Sequence, residues 1–181
     1  MSDISIIPLH GKTPRIHSSA FIAAGCRIIG DVEIGPDASV WYNCVIRADV
    51  NRIVIGAGSN VQDGTVIHCD SDAGGRVGYP TIIDDGVLIG HMAMLHGCHI
   101  GANALVGLGS IVMDGCVLEA DSMLAAGAML TPGKRIGSLQ MWGGRPARFM
   151  RELDETWMAM NKMGVAHYVQ NAKAHAAAAK A

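Results

Sequence analysis

The sequence predicts an all-β solenoid, a parallel β-helix of hexapeptide repeats followed by a C-terminal α-helix. Three observations carry this expectation. Aliphatic residues recur every sixth position, a small residue usually stands two places before each, and glycine often follows, as in "IGP", "IGA" and "IGH". Successive aliphatics six apart on an α-helix would turn through about 600° and spiral over every face. A short strand, a turn and another short strand bring them back to one side. Three hexapeptides then close one triangular coil, and stacked coils form the solenoid.

Four runs carry the period. They are Ile16, Ile22, Ile28, Ile34, Val40 and Ile46; Ile55, Val61 and Ile67; Ile83, Ile89 and Leu95; and Ile100, Val106, Val112, Leu118, Leu124 and Leu130. Ala20, Cys26, Ala38, Cys44, Ser59, Thr65, Ala93, Cys98, Ala104, Ser110, Cys116, Ser122 and Ala128 are among the small residues two places earlier. The aliphatic side chain points into the prism and the small one fits beside it. Composition agrees: 50% of residues are hydrophobic but only 4% aromatic, with 23 glycines, which suits many small turned units rather than an aromatic core.

The organisation follows from where the period starts and stops. Residues 1–15 are a lead-in, 16–133 the β-helix, and 134–181 a linker and helix. Ile67 and Leu95 are 28 positions apart, one coil of 18 plus ten, which places an insertion at about residues 70–80, "DSDAGGRVGYP". Past Pro132 and Gly133 the period is lost. Phe149, Met150, Leu153, Trp157, Met160 and Met163 fall at helical spacing, Pro146 suits a helix start, and the helix is expected to pack along one face of the prism.

Bulk properties narrow the function. A net charge of −2 and a pI of about 6.4 give no electrostatic footprint for nucleic acid or an anionic membrane. No apolar run reaches the length of a membrane span, and "MSDISIIPLHGK" carries no signal-peptide pattern. Five cysteines, an odd number in a chain of this size, point to reduced thiols and a cytoplasmic setting. Cys26 and Cys44, and Cys98 and Cys116, are each 18 apart and should stack as small core residues.

Within this apolar chain the histidines are conspicuous. With the insertion removed, Ile67 and Leu95 stack, and the residues after them, His68 and His96, project from adjacent coils about 5 Å apart. Arg47, after Ile46, extends the same outer column. Two such imidazoles can share a metal, since zinc takes histidine nitrogen at about 2.0–2.1 Å and a catalytic site uses three protein ligands. His91 lies two residues after Ile89, not one, and so near another edge of the triangle. A homotrimer would bring His91 of one subunit to His68 and His96 of the next, with one metal per interface. The alternative is that these are surface or capping histidines. His10, His17, His99, His167 and His175 have no comparable spacing.

The stretches "NCVIRADVNRIVIGAGSNVQDGTVIH" and "IGHMAMLHGC" give the chain its resemblance to the γ-class carbonic anhydrases and their close bacterial homologues, over about residues 10–170. The resemblance implies a left-handed β-helix, a trimer, and a metal held by His68 and His96 of one subunit and His91 of its neighbour. Zn2+ is the expected metal, with Fe2+ or Co2+ also suited to three histidines. CO2 and bicarbonate become the expected partners: zinc brings the pKa of water to about 7, and the hydroxide attacks CO2. Arg47 and Asp49 match the family's interface pair, which either contacts substrate or holds the trimer together. Gln62 and Asp63 match residues beside the metal water, with Gln62 orienting it. Asn60 is a further candidate for the same pocket, and Tyr168 matches a family tyrosine near the metal.

One feature departs from the family's active branch, which carries glutamates for proton transfer. Here Val50 follows Asp49, and the insertion offers only Asp70 and Asp72. Three alternatives stay open: a hexapeptide acyltransferase, since "GGRPARFMREL" resembles a tail common to both groups; a non-catalytic scaffold or assembly factor in which metal stabilises the trimer; and thioester hydrolysis at the same metal.

Overall fold

The computed structural model describes residues 3–179 and shows a left-handed parallel β-helix with one C-terminal helix. Each coil contributes a short strand to each of three faces. The first face stacks Arg27–Ile29, Val45–Arg47, Val66–His68, Met94–His96, Ile111–Val112 and Met129–Leu130. The second stacks Arg15–Ile16, Glu33–Ile34, Ile53–Ile55, Thr81–Ile83, His99–Ile100, Val117–Leu118 and Arg135–Ile136. The third runs from Phe21–Ile22 through Asn60–Val61 and Leu88–Ile89 to Met123–Leu124. The long strands Arg27–Ile34 and Val45–Ile55 bend from the first face onto the second.

The six-residue period is the core. Ile28, Ile46, Ile67, Leu95 and Val112 are fully buried on the first face, and Ile55, Ile83, Ile100 and Leu118 on the second. Aliphatic groups in register along a parallel ladder bury themselves against the rungs above and below as well as across the prism. Cys26 and Cys44 stack inside it, as do Cys98 and Cys116. Two irregularities position the site. Asp49 to Arg52 bulge out of Val45–Ile55, because Gly30 pairs with Ala48 while Val32 pairs with Ile53. Gly30 permits this with φ +79; a Cβ there would lie 2.1 Å from the Ala48 carbonyl oxygen. The expected insertion leaves the prism between His68 and Thr81.

The C-terminal region differs from the sequence expectation. The coils continue beyond Gly133: Arg135–Ile136 and Gln140–Gly143 add to the second and third faces. Arg148–Glu152, expected as the start of a helix, is a strand paired antiparallel with Gln140–Gly143, and Pro146 sits in the turn between them. The last coil leaves an edge of unpaired N–H and C=O groups, and the returning strand satisfies it. Phe149 and Met150 are therefore exposed. The helix spans Glu155–Ala178, with Asp154 as N-cap accepting a hydrogen bond from the Trp157 N–H at 2.8 Å. It packs on the third face, as expected, but Met160 and Met163 point outward. Small groups allow the close approach instead: Ala172 is buried, and a Cβ on Gly164 would touch Leu88. Asn161, also buried, donates to the Asn103 carbonyl at 2.6 Å.

Candidate metal centre

Residues one place past the core aliphatic on the first face form the expected column. Ile46 pairs with Ile67 and His68 with His96, so Arg47, His68 and His96 stack in order. Nδ1 of His68 and Nε2 of His96 face each other at 3.0 Å. Each ring's other nitrogen is engaged by a carboxylate. His68 Nε2 donates to Asp49 Oδ1 at 2.7 Å, and His96 Nδ1 donates to Asp114 Oδ1 at 2.5 Å. Asp49 Oδ2 accepts from the Arg47 guanidinium. Partial burial would raise the Asp49 pKa, but the hydrogen bonds from His68 and Arg47 outweigh it and hold the carboxyl below its ordinary value.

This pattern has a chemical consequence. A neutral imidazole whose one nitrogen donates to a carboxylate presents a lone pair at the other. Two lone pairs at 3.0 Å repel unless a proton or a cation lies between them. Two nitrogens bound tetrahedrally to zinc at about 2.0–2.1 Å would lie about 3.3–3.4 Å apart, so a small separation of the rings admits the ion. Carboxylates behind ligand histidines are the usual support for such a site. The donor set fits a borderline divalent cation.

His91 lies elsewhere, as its spacing requires. It occupies the turn after Leu88–Ile89, two places beyond Ile89, and stacks above Asp63, which lies two places beyond Val61. His91 Nδ1 and Asp63 Oδ2 are 2.8 Å apart, and Asp63 Oδ1 accepts from the Tyr42 N–H at 3.2 Å. Among the described residues of one chain, no three His, Cys, Asp or Glu side chains converge where a metal ion could be held. Gln62 and Asn60 adjoin Asp63 on the third face, Gln62 Nε2 donating to Asn60 Oδ1 at 3.1 Å. Asn60 Nδ2 is buried without a partner among the described residues. Tyr168 comes from the helix, its ring set edge-on to Trp41 with centroids 5.5 Å apart. Burial, with the nearby negative charge of Asp63, pushes its hydroxyl pKa up.

The candidate residues thus divide into two half-sites. Arg47, Asp49, His68 and His96 form one. Asn60, Gln62, Asp63, His91 and Tyr168 form the other. Asp114 was missed by the sequence reading. Its signal was available: it stands two places past Val112, as Asp63 stands two places past Val61. The insertion's acids do not open toward the histidines. Asp70 binds Arg76 at 2.5 Å, and Asp72 accepts from the Gly78 N–H at 2.7 Å.

Comparison with known proteins decides the family. The mitochondrial γ carbonic anhydrase 1 of Arabidopsis thaliana is 42% identical over 96% of this chain, which spans 63% of that relative's length. A carbonic anhydrase of Geobacillus kaustophilus is 43% identical over 83% of this chain and 79% of its own length. The chain belongs to the γ-class carbonic anhydrase family. A bacterial transferase hexapeptide model of six repeats also matches residues 13–48, the opening coils of this γ-class chain. The crystal structure of a hexapeptide transferase family protein from Anaplasma phagocytophilum superposes with a TM-score of 0.87 at 45% identity, covering 94% of the γ-class chain and 97% of its own. No helix among the described residues is long and apolar enough to cross a membrane.

Proposed function

We propose that the protein is a metal-dependent carbonic anhydrase that interconverts CO2 plus water with bicarbonate plus a proton. The observation that carries this is the pair of imidazole nitrogens, His68 Nδ1 and His96 Nε2, facing each other at 3.0 Å with carboxylates behind both rings. His91 completes the ligand set from a neighbouring subunit of a homotrimer. Its Nδ1 is occupied by Asp63, which leaves Nε2 as the ligating nitrogen. Zn2+ suits the site, as do Fe2+ and Co2+. When bound, the cation supplies Lewis acidity that brings the pKa of water to about 7.

The chain's own groups do the rest. Gln62, steadied by Asn60, presents an amide that orients water and substrate beside the histidines. Asp63 fixes the His91 ring, and Asp49, held by Arg47 of the same chain, fixes the His68 ring, with Arg47 and Asp49 matching the family's interface pair. The Tyr168 hydroxyl stays protonated at neutral pH and can donate to an oxygen of bicarbonate. Val50 and the tied-up Asp70 and Asp72 leave proton export poorly served, so turnover is slow for the family. The five buried free thiols suit a reducing, cytoplasmic setting.

The test is CO2 hydration by stopped flow on anaerobically purified protein, with metal quantified on the same sample. A metal-dependent rate above buffer, lost in His91→Ala, is expected. About one metal per chain without any rate would favour a scaffold or another substrate. No metal after reconstitution with zinc or iron(II) would overturn the metalloenzyme reading. The likeness to the transferase-family structure favours acyl transfer as the second reading, which predicts measurable acyl-CoA binding.

A further inference from the structure

We infer that the insertion between His68 and Thr81 is a positioning clamp, which acts through Asp114 to hold His96 in its metal-binding orientation. The inference rests on the metal reading above. The insertion is closed at its base: the Asp70 N–H donates to the Tyr79 carbonyl at 2.9 Å. Asn51, from the bulge beside Asp49, pins both sides of that base, its Nδ2 donating to the carbonyls of Asp70 at 3.1 Å and Gly78 at 3.2 Å. Thr81 Oγ1 donates to the His68 carbonyl at 2.5 Å. Arg76 binds Asp70 and lies over the Tyr79 ring, 5.8 Å from its centroid.

The closed base rests on the coil that carries His96. A Cβ added to Gly97 would lie 3.1 Å from the Cβ atoms of Asp70 and Tyr79, and 2.4 Å from Asp114 Oδ1. A Cβ added to Gly115 would lie 3.2 Å from the Tyr79 ring. The backbone joins the same two turns, with the Gly115 N–H donating to the Gly97 carbonyl at 2.7 Å. Asp114 therefore sits between two glycines, both covered by the insertion, and its Oδ1 is delivered to His96 Nδ1 at 2.5 Å. That hydrogen bond places the proton on Nδ1 and the lone pair on Nε2, toward His68. Asp70, Arg76 and Tyr79 are thus positioning residues that need not touch substrate.

The experiment uses zinc alone as probe and the full-length chain. Zinc affinity is measured by competition with a chromophoric chelator, and the His96 tautomer by long-range 1H–15N NMR of the metal-free protein. Asp114→Leu and Tyr79→Ala should each weaken zinc about 10–100-fold, as lost support of ligand histidines does. The His96 signal should move from a single Nδ1–H tautomer to a mixture. Asp114→Asn, whose amide oxygen still accepts from Nδ1, should lose severalfold and keep the tautomer. It also keeps the test open should Asp114→Leu misfold. Wild-type affinity and tautomer in folded Tyr79→Ala or Asp114→Leu would overturn the inference and leave the metal reading intact. A wild-type chain that binds no zinc would overturn both.

Discussion

Nδ1 of His91 lies 2.8 Å from Oδ2 of Asp63, and the two residues occupy the same corner on successive coils. Asp63 is itself anchored by the Tyr42 N–H, so the imidazole is oriented before any neighbour arrives. His91→Ala should lower bound metal from about one per chain to near zero, because no three donor side chains converge within one chain among its described residues. Metal analysis after size-exclusion chromatography reads this directly. Wild-type metal content in the variant would exclude the three-histidine centre.

Acid should weaken the folded state through three carboxylates. Desolvation acts on Asp49, but hydrogen bonds from His68 and Arg47 depress its pKa; Arg76 depresses Asp70, and Arg135 depresses Glu119. A folded value below the unfolded one, about 4 for a carboxylate, gives stabilisation present above that pH and lost as pH falls through the folded value. Thermal unfolding should therefore shift little between pH 7 and 5 and fall steeply below about pH 4. Arg76 and Arg135, the partners of Asp70 and Glu119, are solvent-exposed, so 1 M salt should flatten their share. A melting temperature indifferent to pH down to 2 would contradict the assignment.

Much of this was legible in the sequence because the solenoid is local. A six-residue period fixes which side chains point inward, so Ile67 and Leu95, and with them His68 and His96, could be stacked by counting. His91 could be sent to another corner by the same count. What counting could not show were contacts that depend on side-chain reach. Asp114 is diagonal to His96, not beside it, so no column contains both. The strand at Arg148–Glu152 escaped because its apolar residues face solvent and mimic a helical stripe; the edge of the last coil, a property of the assembled sheet, made it a strand. The helix face differs from its apolar pattern for the reverse reason. Gly164 and Ala172 pack closely because they are small, while Met160 and Met163 stay outside.

The core should respond to truncation as a tightly packed interior does. Ile67 is fully buried between Ile46 and Leu95 on the adjacent rungs. Ile67→Ala should cost about 2–5 kcal/mol. Chemical denaturation at fixed protein concentration would measure it, since the stability of the proposed homotrimer would depend on concentration. A loss below about 1 kcal/mol would mean that the prism relaxes around the cavity.

The thiols should be silent in the native state. All five cysteines are buried. Burial pushes the pKa of Cys98, Cys69 and Cys116 up, so the reactive thiolate is scarce as well as inaccessible. Iodoacetamide at pH 8 should label no cysteine on the timescale that labels all five in denaturant. Labelling rates should follow global unfolding, since Cys26, Cys44, Cys98 and Cys116 all lie in the buried core cluster. Rapid native labelling of Cys98 would show that its coil opens independently.

Proton export should limit turnover. Each CO2 hydrated releases one proton, which must reach solvent before the next cycle. Val50 cannot carry it. Asp70, bound to Arg76 and depressed in pKa, is a poor acceptor near neutral pH, and Asp72 is engaged by the Gly78 N–H. An external base small enough to enter the site should replace the missing group. At pH 7, raising imidazole at constant ionic strength should increase kcat severalfold and saturate, while kcat/KM, which reports the CO2 step, stays constant. Val50→Glu should raise kcat in dilute buffer and blunt the imidazole response. If kcat and kcat/KM were both insensitive to buffer, the slow step would lie in the chemistry at the histidines, and the geometry of His68 and His96 would be the place to look.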